Sequence, residues 1–409
     1  MSLDPITPHS ISIREVRGFL TARHVEQGVD KIMYLEPCRD IQTISATRWD
    51  ELIPDGNPFL SHGFLAALEQ SGSVGDGTGW DIFHLALYDE DKNLRGAMPG
   101  YLKSHSYGEY VFDHSWAHGY ERAGGTYYPK FLSGVPFTPV PGARLLTRPD
   151  DAQAISALIQ GAAGLADKLS LSSAHVNFIS HDDKNAFEEA GWQIRRGVQF
   201  HWHNQGYDNF DDFLSTLSSR KRKNIRKERA SLAAHDVHFE RLTGDDIKPH
   251  HWDYFYEFYL ATIEKKWGGA YLTRGFFEAI GARLRDKIML VLAIKDGVTI
   301  AGALNLMSGD CLFGRNWGSL IDLPNLHFET CYYQAIDHAI ATKRARVEAG
   351  AQGMHKVQRG YLPVITYSAH HIPHEGFAEA IGRFLQAENR AVEAECDEIM
   401  QYSPYKQSP

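Results

Sequence analysis

Cysteine is scarce in this chain. Its four copies, Cys38, Cys311, Cys331 and Cys396 among 409 residues, stand far apart with no CxxC and no metal-ligand spacing. That pattern excludes a disulfide framework and a zinc ribbon, and it suits free thiols in a reducing compartment. No run approaches the ~18 uncharged apolar residues that a membrane span needs. The first residues mix Asp4, Arg14, Glu15 and Arg17 without an apolar core, so they read neither as signal peptide nor as anchor, and a cytoplasmic protein is expected. The glycine-rich stretch SGSVGDGTG (71–79) lacks both GxGxxG and a Lys-Ser/Thr pair, and reads as a connection rather than a phosphate loop. Histidines cluster at His201 and His203 and again at His370, His371 and His374, but no carboxylate or cysteine stands at zinc spacing. No metal site and no tightly bound cofactor is expected.

What is present is a contrast of charge. Acid exceeds base, 51 Asp and Glu against 42 Lys and Arg, for a net charge of −9. Nucleic acid is therefore not a partner for the whole surface. Yet SSRKRKNIRKERA (218–230) concentrates cations with Glu228 as the one acid. At ~100° per residue, Ile225 and Leu232 share one side of a helix, with Lys221 and Glu228 beside them. Arg220, Arg222, Lys223, Arg226, Lys227 and Arg229 spread over the opposite half. The expectation is a helix docked by its apolar edge, whose cationic face takes RNA or another phosphate-rich partner by counterion release. The alternative is a solvated face.

The length suggests two or three domains. Hairpin texture at 80–103, a helical pattern at 150–168 and the short strand HVNFI recur in order in the second half. There MLVLAIK turns at Asp296-Gly297 into VTIAGALNLM, and CLFGRNWG, a helix from about His327 to Lys343 and the strand RVEA follow. HWDYFYEFYLATI carries Trp252, Phe255, Tyr256, Tyr259, Leu260 and Ile263 on one stripe. Two stretches align residue by residue, 86–97 with 293–303 and 110–117 with 311–318, which points to two copies of one α/β unit.

An antiparallel hairpin, a helix and a further strand is the layout of the GNAT acyltransferase fold, and a tandem pair resembles the Fem-type transferases. NPF (57–59), YYPK (127–130), PFTP (136–139), HFETCYYQAI (327–336) and EAGAQGMHKVQRGYLP (348–363) resemble a FemAB-like branch of bacterial proteins over roughly 55–375. The resemblance implies an α/β (α+β) protein with two tandem GNAT-like units of mixed sheets. The expected division is an arm at 1–40, units at 41–200 and 201–375, and a C-terminal helix and tail at 376–409. It also implies acyl or aminoacyl transfer to an amine, related to peptidoglycan precursors, with aminoacyl-tRNA or acyl-CoA as co-substrate. A non-catalytic protein binding RNA or a cell-wall precursor on the same fold is the competing reading.

Acyl transfer requires a base for the amine and donors for the developing oxyanion. His327 and Glu329 are expected at a helix N-terminus, where the dipole keeps imidazole neutral; Glu329 can alternatively cap that turn. The segment DLPNLHFE replaces the pyrophosphate loop of coenzyme A-dependent relatives, and a carboxylate there opposes phosphate. His327 and Glu348 are the candidate catalytic residues. Glu329, Tyr332, Gln352, His355, Lys356 and Arg359 are candidates for substrate binding, and so, in the first unit, are Tyr128 and Lys130. A solvated turn at 348–363 and a packing corner at Tyr-Tyr-Pro are the structural alternatives.

Overall fold

The computed structural model describes residues 21–26, 29–265, 269–350 and 353–406. The first unit runs through β1 (Thr21–Glu26), β2 (Val29–Cys38), α1 (Ala46–Asp50) and α2 (His62–Gln70). It continues with β3 (Trp80–Ile82), β4 (His84–Tyr88), β5 (Leu94–Met98), β6 (Tyr101–Lys103), α3 (His114–Arg122), β7 (Lys130–Ser133) and β8 (Leu146–Thr147). It closes with α4 (Ala152–Lys168), β9 (Ala174–Ile179), α5 (His181–Glu189) and β10 (Gln193–His203).

After α6 (Phe210–Thr216) and α7 (Ser219–Ala233), the second unit repeats that order. It has β11 (Val237–Thr243), α8 (Pro249–Lys265), α9 (Arg274–Arg283), β12 (Ile288–Lys295), β13 (Val298–Met307) and β14 (Cys311–Ser319). The next helix, α10, joins an α turn (Leu326–Phe328), a π turn (Glu329–Tyr333) and an α segment (Gln334–Ala341). Strand β15 (Arg346–Glu348), a 3-10 turn (Met354–Arg359), β16 (Leu362–His371) and α11 (Glu375–Met400) complete the chain.

The strands form a five-stranded sheet, β1-β2-β4-β5-β8, and an eleven-stranded sheet, β11-β12-β13-β14-β15-β10-β16-β9-β7-β6-β3. All pairs are antiparallel except β14–β15 and β7–β9, which occupy the same place in the two units. The closing strands are exchanged. β10 of the first unit lies against β15, and β16 of the second lies against β9, while β10 and β16 pair with each other from Gln193↔His370 to His201↔Leu362. The expected division at residue 200 falls inside β10, and residues 29–38 of the expected arm form β2, paired with β4. Residues 1–20 lie outside the described residues.

Local chemistry accounts for the elements that place the cleft. Asp296 (φ 52°) and Gly297 (φ 76°) both adopt the left-handed conformation that a two-residue hairpin turn requires, and they join β12 to β13. On α8, Trp252, Phe255, Phe258 and Tyr259 are buried, with Tyr256, Leu260 and Ile263 packed beside them. That helix lies directly on β14: a Cβ at Gly318 would stand 1.8 Å from the Phe258 carbonyl oxygen, so only glycine fits. One expected match fails. Residues 311–318 lie in β14, whereas 110–117 lead into α3, and the topological counterpart of β14 is β7. The shared Phe and Trp spacing sits on different backbones, because a short apolar run does not declare its period.

Candidate active site

Strands β14 and β15 pair only over Cys311↔Arg346, Leu312↔Val347 and Phe313↔Glu348. Beyond that point the chain leaving β15 turns onto β10, where the Ala349 N–H donates to the Phe200 carbonyl. β14 continues along β13 with a bulge, because the register passes from Ala303↔Trp317 to Asn305↔Gly314. The extra residue re-aims Arg315 and Asn316. A cleft of about 520 Å³ opens where the two strands part, lined by Asn305, Arg315, Asn316, His327, Tyr332 and His355, among others. A larger groove of about 620 Å³ lies between α3 and α11, but its wall is aromatic and aliphatic, with His374 and Tyr120 as its titratable groups. The cleft holds the chemistry.

Four of the expected residues meet there. His327 lies in the first turn of α10, its ring 5.0 Å from Trp317, 5.2 Å from Tyr332 and 5.9 Å from His355. The π turn that follows brings Tyr332 to the cleft, and its hydroxyl is hydrogen-bonded to His355 Nε2 at 3.0 Å. Burial lowers the His355 imidazole, helped by Arg359 and Lys356. Its ring is seated against Gly353 (φ 109°), where a Cβ would come within 2.4 Å. Lys356 Nζ donates to the carbonyls of Ala349 (2.5 Å) and Gly350 (3.1 Å). Burial holds its ammonium down at about 8.

The others lie elsewhere. Glu329 does not open onto the cleft: it is buried, accepts from Arg229 at 3.0 and 3.1 Å and from Gln334 at 2.8 Å, and burial raises its carboxyl. Its charge is compensated, so it does not itself oppose a phosphate at the start of α10. Arg359 is turned away too, held by Glu228 at 2.8 Å and lying over the Phe328 ring at 3.3 Å. Glu348 is buried in β15, where it accepts from Arg346 at 3.0 Å and faces the first residues of β14 rather than the cleft wall. Gln352 lies outside the described residues.

Tyr128 and Lys130 form no ligand wall. Lys130 is fully buried and donates to Ser106 and Glu109, each at 2.8 Å, and to Asp113, while the Tyr128 hydroxyl is bonded to Ser106. The histidine groups are likewise occupied in part. His370 Nδ1 and His175 Nδ1 stand 2.6 Å apart in the core, and His374 caps α11. Among the described residues, no group of three or more His, Cys, Asp or Glu is placed to hold a metal ion.

Helix α7 is docked as its pattern predicts, with Ile225 and Leu232 buried. Its cations divide. Arg229 is drawn inward to Glu329 and Asp337, so it leaves the expected phosphate face. Arg226 pairs with Asp211 at the surface, and Arg222 reaches the Leu217 carbonyl. Arg220, Lys223 and Lys227 remain exposed with no ion pair among the described residues. Glu228 ties this helix to α10 and to the Met354–Arg359 turn, accepting from Arg359 and from the Tyr333 hydroxyl.

Arg315, Asn305 and two first-unit residues, Tyr110 and Phe137, escaped the reading of the sequence. Tyr110 (φ 60°) and Phe137 (φ 57°) are held in a conformation that side chains seldom adopt, and Phe137 stacks on Tyr271 at 5.0 Å. The available signal was the arginine in the middle of the apolar strand CLFGRNWG.

No curated protein matches the chain. Among solved structures, a C-terminal domain (DUF2156) assigned to a lysylphosphatidylglycerol synthetase of Agrobacterium fabrum is similar with a TM-score of 0.53 at 10% identity, covering 84% of this chain and 95% of that one. FemX is similar with a TM-score of 0.52 at 13% identity, over 83% and 98% of the two chains. A conserved Bacteroides thetaiotaomicron protein of unknown function follows with a TM-score of 0.50 at 9% identity, over 82% and 99%. At such identities the likeness is one of fold, and it extends over both units. The family signature goes further, because the FemAB-like model, described as peptidoglycan biosynthesis/recognition, matches residues 40–407, and the chain belongs to that family.

Proposed function

We propose that this protein transfers an acyl or aminoacyl group to an amine in the cleft beside β14, with a phosphate-rich donor held on α7. The observation that carries the reading is the meeting, at the parting of β14 and β15, of His327, the Tyr332–His355 pair and the low-pKa Lys356. An ammonium acceptor must lose a proton before it attacks a carbonyl, and a neutral imidazole is the group for that. The Tyr332–His355 hydrogen bond fixes the orientation of the His355 imidazole in the cleft. Aminoacyl-tRNA is the donor that best suits exposed cations on a helix tied to α10 and to the Met354–Arg359 turn, and a peptidoglycan precursor with a free amine is the acceptor suited to the family.

The test is transfer of label from charged tRNA to such a precursor by the full chain. His327→Ala lowers turnover ~10²-fold with donor affinity unchanged. Replacing Arg220, Lys223 and Lys227 with Ala leaves folding intact, weakens tRNA binding and reduces the log–log salt slope by at most ~0.9 per contact. Tight tRNA binding without transfer above background would replace this reading with that of a binding protein.

A further inference from the structure

We propose that Arg315, with Lys356 beside it, forms an anion subsite in the cleft, and that the substrate entering it carries a carboxylate or phosphate next to its reacting group. The inference deepens the transfer reading and rests on it for the word substrate, but the site itself stands on geometry. Among the described residues, every other arginine that is not exposed donates a hydrogen bond to a carboxylate or a carbonyl. Arg144 meets the carbonyls of Ala143 and Val140, while Arg95, Arg195, Arg346 and Arg359 each meet a carboxylate. Arg315 has no such partner. Its guanidinium rests on the Phe59 ring, 5.0 Å from the centroid, and the residue lines the cleft.

The surroundings match an absent anion. The lining described contains Arg315, Lys356, His327 and His355, and no aspartate or glutamate. Two cations in one enclosed space disfavour each other, and here burial holds Arg315 at about 10, with Tyr110 and Glu348 opposing from beyond ion-pair distance. Arg315 in turn lowers Lys356. Burying unpaired charge is costly, and a bound anion relieves it. Shape agrees: the bulge at Gly314–Trp317 sets the arginine on a strand, Asn305 and Asn316 line the same cleft, and Tyr110 with the stacked Phe137–Tyr271 pair adds an aromatic wall. A guanidinium fork on such a support suits planar, bidentate capture of a carboxylate, or two oxygens of a phosphate.

The experiment is calorimetric titration of the full chain with inorganic phosphate and, separately, with N-acetylalanine, both at millimolar concentration. Wild type binds at least one probe with one-to-one stoichiometry. Preference for phosphate assigns the subsite to a phosphorylated substrate, and preference for N-acetylalanine assigns it to a peptide carboxylate. Arg315→Gln raises the dissociation constant ~10-fold or more, as loss of a charge-assisted hydrogen bond implies. Arg315→Lys recovers part of it, and Arg383→Gln on the exposed face of α11 leaves it unchanged. Melting temperature checks that the variants fold. Binding of neither probe, or equal binding by Arg315→Gln, overturns the subsite without touching the transfer reading. Anion binding intact in a protein that transfers nothing sinks the transfer reading instead.

Discussion

At the start of β7 in the first unit, Lys130 is enclosed together with Glu109, Asp113 and Ser106. At the parting of β14 in the second, Arg315 and Lys356 line one cleft with no carboxylate in ion-pair distance among the described residues. In the first region burial would lower the lysine, but the two acids outweigh it and hold its ammonium above the ordinary range. In the second, burial outweighs the pull of Tyr110 and Glu348 on Arg315 and of Cys331 on Lys356, and both cations are lowered. The chain beyond β7 also folds back, with Gly142 pairing alongside Ile179 and Gln199 holding the Pro139 carbonyl, whereas β14 runs on as a lone edge. A repeated fold thus closes one junction with internal salt links and leaves the other as a cleft lined by cations without a matching acid among the described residues.

The sharpest way to break this contrast is Lys130→Met. It strands two buried carboxylates and lowers unfolding free energy by about 3–5 kcal/mol in denaturant titration. Lys356→Met, at the open junction, removes a charge with no acid to strand and leaves the midpoint nearly unchanged; equal losses would erase the distinction. Ile225→Asp is the converse of the first change, since it buries a carboxylate that has no cation of its own on the docked edge of α7. It costs about 2–4 kcal/mol, read as a fall in melting temperature. The smallest effect is one of pH. Lys356 is cationic below its value of about 8 and neutral above it, so anion affinity is fullest below pH 8 and weakens as pH rises through that point. Arg315, at about 10, keeps the residual binding. Lys356→Met flattens the profile between pH 7 and 9, and an unaltered profile would remove the lysine from the subsite.

Much of this was legible where one physical rule dominates. The β12–β13 hairpin announced itself through Asp296-Gly297, α8 through its aromatic stripe, and the docked edge of α7 through Ile225 and Leu232. What hid was pairing between charges distant in sequence. Arg229 and Glu329 lie 100 residues apart, and each alone resembles a surface or site residue until the fold joins them. The solvated turn that stood as the alternative at 348–363 does not form, because Lys356, Val357 and Arg359 are buried, with backbone carbonyls and Glu228 satisfying the two cations. β10 and β16 carry too many polar residues to stand out as central strands, since those residues are satisfied two along the same strand, His201 by Gln199 and Ser368 by His370, or across to β9, His370 by His175.

The exchange of β10 and β16 has a consequence for synthesis. Strand β9 has β7 on one side and finds its other neighbour only in β16, and the His175–His370 contact spans 195 residues. While the chain emerges, the first unit stays one strand short, with a bare sheet edge and an imidazole lacking its partner, until almost the whole polypeptide has been made. The two halves therefore reach completion together, sealed by one late segment. A break after β15 would leave its larger gap in the half that was translated first.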